Sequence, residues 1–117
     1  MSREFVELLR RRAEARRAVV ANLDRYLAEI KRIATAADPS AEVFLFGSYA
    51  RGDMRPDSDI DILIVSDLYG GELAKAAQLA SIIEEGLGVR GIFEIHVTTR
   101  EQFEGWYRRL IDVLVRV

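Results

Sequence analysis

Two aspartates two residues apart, Asp59 and Asp61, close the stretch Gly47-Ser48-Tyr49-Ala50-Arg51-Gly52-Asp53-Met54-Arg55-Pro56-Asp57-Ser58-Asp59-Ile60-Asp61. Val43-Phe44-Leu45-Phe46 leads into it and Ile62-Leu63-Ile64-Val65 leaves it. If a strand starts at Asp59, both carboxylates leave one face, with Cα atoms about 6.5 Å apart. Ile60, Ile62 and Ile64 then face the other way, into a core. Two carboxylates on one face repel unless a cation lies between them. At this spacing they can converge on one divalent ion, or bracket two ions about 3.5–4 Å apart. Hard oxygen ligands next to a phosphate favour Mg²⁺, with Mn²⁺ as the other choice. The phosphate is suggested by the turn before them. Gly47 lets the backbone come close to an anion. Ser48 offers a hydroxyl, and the amides after it open a helical turn, a favourable place for negative charge. Arg51 and Arg55 are charge partners for the phosphates. Such a set positions and neutralises a triphosphate, and phosphoryl-type transfer needs little else.

These residues need a frame and a third acid. Glu94 sits in Phe93-Glu94-Ile95, an acid among core residues, which is costly unless it faces a metal or a cleft. His96 shares its face. The frame follows from periodicity. Residues 3 to about 36 read as one helix, with Phe5, Leu8, Leu9, Val19, Leu23, Leu27, Ile30 and Ile33 at spacings of three and four and no Pro or Gly. Such a helix would be about 50 Å long against a radius of gyration of about 13 Å for a domain of this size, so it must project or break. Its basic middle, Arg10 to Arg17, reads as a solvated face, a partner surface, or a rim steering an anionic substrate. Strands are expected at 42–46, 59–65 and 92–97. Ser48 is expected to cap a short turn closed by Gly52. A second amphipathic helix spans 72–87, with Leu73 on its apolar side. Thr98 or Thr99 opens a last helix with a capping-box pattern. Trp106 and Tyr107 read as core residues of that helix, and its apolar end, Ile111 to Val117, as a surface covered by another subunit.

The order αβαβαβα gives an α/β (α+β) sandwich, a small mixed sheet of about three strands with helices mainly on one face. The first two strands are expected antiparallel, and the second and third parallel through a right-handed helical crossover. The 117 residues form one domain: a long N-terminal helix over 1–37, a core over 42–97 and a C-terminal helix over 99–117. The formal charge of −2 argues against a general nucleic-acid binder. The absence of cysteine excludes disulfides and thiolate chemistry, and a single histidine excludes a multi-histidine metal site. No run is long and apolar enough for a membrane span, and the first residues lack a signal-peptide pattern, so a cytoplasmic location is expected.

On these residues the chain resembles a minimal nucleotidyltransferase of the DNA polymerase β-like superfamily. The pattern is an apolar strand, Gly47-Ser48, ten residues from Tyr49 to Ser58, then Asp59-Ile60-Asp61, with a later acid at Glu94. The resemblance implies the nucleotidyltransferase fold and two Mg²⁺ ions on the paired acids. It also implies that Glu94 helps activate an attacking hydroxyl and that the Gly-Ser turn holds the triphosphate of ATP. Glu94 stands where the family often has Asp. Small members are commonly paired with a helical HEPN-domain protein, as antitoxin to a ribonuclease toxin. The resemblance therefore implies transfer of AMP to a hydroxyl of such a partner. These residues show no second domain for an acceptor, which is then expected on the partner, docked through the N-terminal and C-terminal helices. Two other readings stay open. One is a non-catalytic nucleotide-binding module that masks its partner stoichiometrically. The other is transfer to a small molecule or an RNA 3′ end, the latter disfavoured by the lack of a strongly basic face.

Overall fold

A computed structural model describes residues 1–117. The N-terminal pattern folds as two helices, α1 (Arg3–Ala21) and α2 (Leu23–Ala37), not the single helix expected. The break is at Asn22, whose backbone leaves the helical region at φ −122° and ψ 31°. Its side chain donates to the Ala18 carbonyl at 2.9 Å, the local bonding by which asparagine competes with a helix. Beyond the break only α2 packs continuously, burying Ile30, Ile33 and Ala34. In α1 Val19 alone is buried, while Phe5, Leu8 and Leu9 stay 45–47% exposed. The helix therefore both breaks and projects, and the molecule measures 48 × 27 × 25 Å with a radius of gyration of 15.0 Å.

The strands are β1 (Glu42–Phe46), β2 (Ile60–Val65), β3 (Phe93–Thr98) and β4 (Val115–Arg116), in the order β3-β2-β1-β4. β1 and β2 are antiparallel, joined through the one-turn helix α3 (Ser48–Arg51); β2 and β3 are parallel. The crossover carries two helices, the short α4 (Asp67–Gly70) and α5 (Leu73–Leu87). Leu79 and Ile83 form the buried stripe of α5, and Leu73 lies outside it, 87% exposed.

The fourth strand corrects the three expected. The C-terminal helix ends at Leu110 rather than running to Val117. It starts at α6 (Arg100–Gln102), where the Thr99 hydroxyl accepts from the Gln102 amide. It continues through a π-helical turn (Phe103–Tyr107) and α7 (Arg108–Leu110). Val113, Val115 and Val117 then alternate along an extended segment, where β-branched side chains fit well. Val115 and Arg116 pair with Leu45 and Phe44, and the Val117 amide donates to the Val43 carbonyl. The apolar end thus covers the β1 edge.

Alternation gives the sheet two faces. Val43, Leu45, Ile60, Ile62, Ile64 and Phe93 join Val19, α2 and α5 in a core of 14 buried residues. The opposite face carries Phe44, Leu63 and Val65 under Phe103, whose ring stacks on Phe44 at 5.1 Å. Helices therefore cover one face fully, and the C-terminal helix covers only part of the other. Trp106, expected in the core, is 57% exposed. No helix is long and apolar enough to cross a membrane.

Candidate functional site

The uncovered part of that second face is a cleft of about 550 Å³. Phe46, Gly47, Ser48, Arg51, Ser58, Asp59, Asp61, Glu94 and Leu110 to Asp112 line it. Of the residues singled out in the sequence, Gly47, Ser48, Arg51, Asp59, Asp61 and Glu94 meet here; Arg55 does not line the cleft.

Asp61 is the hinge of this geometry. It is the second residue of β2, opposite Phe46 of β1 on one side and Glu94 of β3 on the other. A parallel register places Asp61 and Glu94 side by side on one face. Carboxylate oxygens of Asp61 and Glu94 and a ring nitrogen of His96 all lie within 4.8 Å of one another. His96 Nε2 is 3.4 Å from Glu94 Oε1, and its ring meets Phe46 edge-on at 5.5 Å. Partial burial, then the neighbouring charge and hydrogen bonding of Glu94, push the Asp61 carboxyl up to about 6. A third negative group at Asp59 adds to that shift, and His96 opposes it.

Gly47 explains how Asp61 fits. Its φ of 74° and ψ of −154° lie in a region open essentially to glycine alone. A Cβ built there would stand 2.9 Å from Asp61 Cγ and nearer still to Oδ2. The glycine therefore makes room for a carboxylate, whereas the sequence suggested only an approaching phosphate. Ser48 is the first residue of α3 rather than its cap, and no side chain caps this turn. Gly52 closes it in the left-handed conformation. Amides at the start of this turn border the cleft, beside the acids.

Asp59 sits apart from the cluster. It precedes β2 by one residue, so the strand expected from 59 starts at Ile60. Its Oδ1 lies 3.3 Å from Arg16 of α1. Arg51 reaches Asp53 at 3.1 Å while still lining the cleft. Sequence reading missed two contributors. Asp112 reaches the cleft because the chain turns after Leu110, and an acid interrupting the apolar run from Ile111 was its signal. Arg16 lies three residues before buried Val19, and that helical phase was the signal that it turns inward.

Oxygen ligands drawn from adjacent strands, one of them a carboxyl whose pKa is raised by partial burial and then by the neighbouring acids, fit a hard divalent cation. The residues that would hold it are Asp61 and Glu94, with Asp59 one residue before the same strand.

A glycine-serine turn facing clustered acids at one end of a small mixed sheet defines a protein of the nucleotidyltransferase class. The chain belongs to the nucleotidyltransferase domain family, whose model matches residues 27–115. Over 27 residues it is 67% identical to "Putative protein adenylyltransferase MJ0604" of Methanocaldococcus jannaschii, a match over 23% of this chain and 27% of that protein. Over 91 residues it is 34% identical to a bifunctional uridylyltransferase/uridylyl-removing enzyme of Psychrobacter, covering 72% of this chain and 10% of that protein. The chain thus matches only a small part of the length of either curated relative. Two crystal structures of nucleotidyltransferases, both named "putative", share the fold. One has a TM-score of 0.62 and 30% identity over 77% of this chain and 95% of the other. The second, from Sulfolobus solfataricus, has a TM-score of 0.57 and 25% identity over 84% of each.

Proposed function

We propose that this protein transfers a nucleoside monophosphate, AMP from ATP, to a hydroxyl of a partner protein and releases pyrophosphate. The observation that carries this reading is the Asp61 carboxylate, seated in the space left by Gly47 and facing Glu94. Mg²⁺, two ions in the family's pattern, would be held by Asp59, Asp61 and Glu94; when bound it supplies charge neutralisation for the triphosphate. The amides and hydroxyl after Gly47 hold the phosphate chain, and Arg51 faces it from the end of α3. Glu94 lies where it can accept the proton of the attacking hydroxyl, and His96 at 3.4 Å orients its carboxylate. The hydroxyl oxygen then bonds to the α-phosphorus as the bond to the leaving pyrophosphate breaks.

The name of the archaeal relative supports adenylyl transfer to protein, while the bacterial relative is named for uridylyl transfer, so nucleotide choice belongs in the test. A helical HEPN-type toxin is the proposed acceptor, with this protein as its antitoxin. The exposed apolar residues of α1 support a partner of this kind. Purified protein, Mg²⁺ and each of the four labelled nucleoside triphosphates are incubated with a candidate HEPN-type partner protein. Label from ATP should pass to the partner, and mass spectrometry should find one added AMP. Asp61→Asn should fold, bind the partner and transfer no label. Equal transfer by that variant would refute the reading, and full inhibition of the toxin by it would favour stoichiometric masking instead.

A further inference from the structure

Asp59 lies just outside β2, so the sheet ladder does not fix its side chain. The nearest backbone bond joins Ile60 N–H to the Ile92 carbonyl at 2.9 Å. What reaches Asp59 is Arg16, which comes from the helical layer around the end of the sheet. Its Nη1 donates to the Ser58 carbonyl at 2.6 Å and to Asp59 Oδ1 at 3.3 Å. Its Nη2 donates to the Gly91 carbonyl at 3.3 Å. The Arg16 side chain is 18% exposed, against 61% and 74% for Arg10 and Arg11 on the same helix. Arg10 and Arg11 pair with glutamates within α1; Arg16 is the arginine of that helix that bonds across the fold.

A guanidinium is a rigid planar fork. Two backbone carbonyls, one leading into β2 and one leading into β3, fix the plane of this fork. They thereby fix where one Asp59 oxygen sits. We propose that Arg16 is the positioning residue for Asp59: it ties the starts of β2 and β3 together and holds Oδ1 at the rim, leaving Oδ2 available to a divalent cation in the cleft. This rests on the reading that Asp59 holds metal. It makes α1 part of the site, through a residue one turn before its buried anchor, Val19.

Charge and geometry separate cleanly. Lysine would keep the positive charge beside Asp59 but cannot span both carbonyls and the carboxylate. The experiment is Mn²⁺ titration, followed by the electron paramagnetic resonance of free Mn²⁺, on the full chain without nucleotide. Wild type, Arg16→Lys, Arg16→Gln, Asp59→Asn and the Arg16→Lys/Asp59→Asn double variant are compared. Residues that orient metal ligands typically contribute about 10–100-fold to affinity, so Arg16→Lys should weaken Mn²⁺ binding about tenfold. Arg16→Gln should weaken it at least as much, and the double variant should bind no worse than Asp59→Asn. Unchanged binding by Arg16→Lys, or tighter binding by Arg16→Gln, overturns the proposal and makes Arg16 a mere counter-charge. If Asp59→Asn binds Mn²⁺ like wild type, the metal reading of Asp59 fails and this role falls with it. If Asp59→Asn loses binding and Arg16→Lys does not, the positioning role alone fails. Should Arg16→Gln not fold, Arg16→Lys, which keeps charge and stem, decides the matter.

Discussion

Gly47 and Asp61 act as one unit, since the carboxylate occupies the volume any larger residue at 47 would need. Gly47→Ala combines that clash with a backbone conformation costing about 1–3 kcal/mol for other residues. It should lower the melting temperature and cut nucleotidyl transfer at least about 100-fold, because a carboxylate displaced by 1 Å loses its geometry. A melt and a transfer assay check both. Asp61 also sets a pH dependence. An acid raised to about 6 binds its proton more tightly in the folded chain than in the unfolded one. The cation-free fold therefore gains stability as pH falls through about 6 toward the ordinary carboxylate range, and lacks that contribution above 6. Divalent binding runs the other way, because it needs the charged form. Mg²⁺ should raise the melting temperature by about a few degrees at pH 7.5 and by much less at pH 5. Asp61→Asn should flatten that difference, and equal Mg²⁺ shifts at both pH values would count against this account. That Asp61, Glu94, Gly47 and Ser48 line one cleft was legible, because strand period and a tight turn act locally. Arg16 and Asp112 were not, because their roles arise from where distant elements cross the end of the sheet.

At the scale of elements, the three longer strands and the parallel crossover were legible from apolar runs separated by polar turns. That the N-terminal helix must project or break was legible from its length; that the break falls at Asn22 was not, because asparagine is tolerated in helices and its bond to the Ala18 carbonyl shows only in the structure. The end of the last helix was misread for a similar reason. Seven largely apolar residues fit a wide helical face or a strand, and only the free edge of β1 decides between them. Packing distinguishes the two N-terminal helices quantitatively. Ile30 of α2 is fully buried, so Ile30→Ala should cost about 2–5 kcal/mol. Leu8 of α1 is 45% exposed, so Leu8→Ala should stay within about 0.5 kcal/mol. Urea melts of the two variants check this, and a large loss for Leu8→Ala would mean that α1 packs along its whole length.

For the whole molecule, the long dimension of 48 Å against 27 and 25 Å reflects a helix whose first half has little to rest on. Arg10 and Arg11 there bond to Glu7 and Glu14 within the same helix, and the apolar side chains at Phe5, Val6, Leu8 and Leu9 are half exposed. The sheet, both clusters of buried residues and the cleft lie beyond it. Val19 and Arg16 are the points where α1 grips the rest. The two halves of the molecule should therefore separate by function. Deleting residues 1–13 keeps Arg16 and Val19 and removes mainly exposed surface. The shortened protein should melt within about 5 °C of the full chain, since surface changes away from packed sites cost little. Its Mn²⁺ affinity should be unchanged. If the projecting half is the proposed partner surface, capture of the HEPN-type protein should be lost, and label transfer to it with it. Chromatography of mixed proteins reads the first, and transfer from labelled ATP the second. A shortened protein that still binds and modifies its partner would move the docking surface to the part of the cleft lined by Leu110 and Ile111.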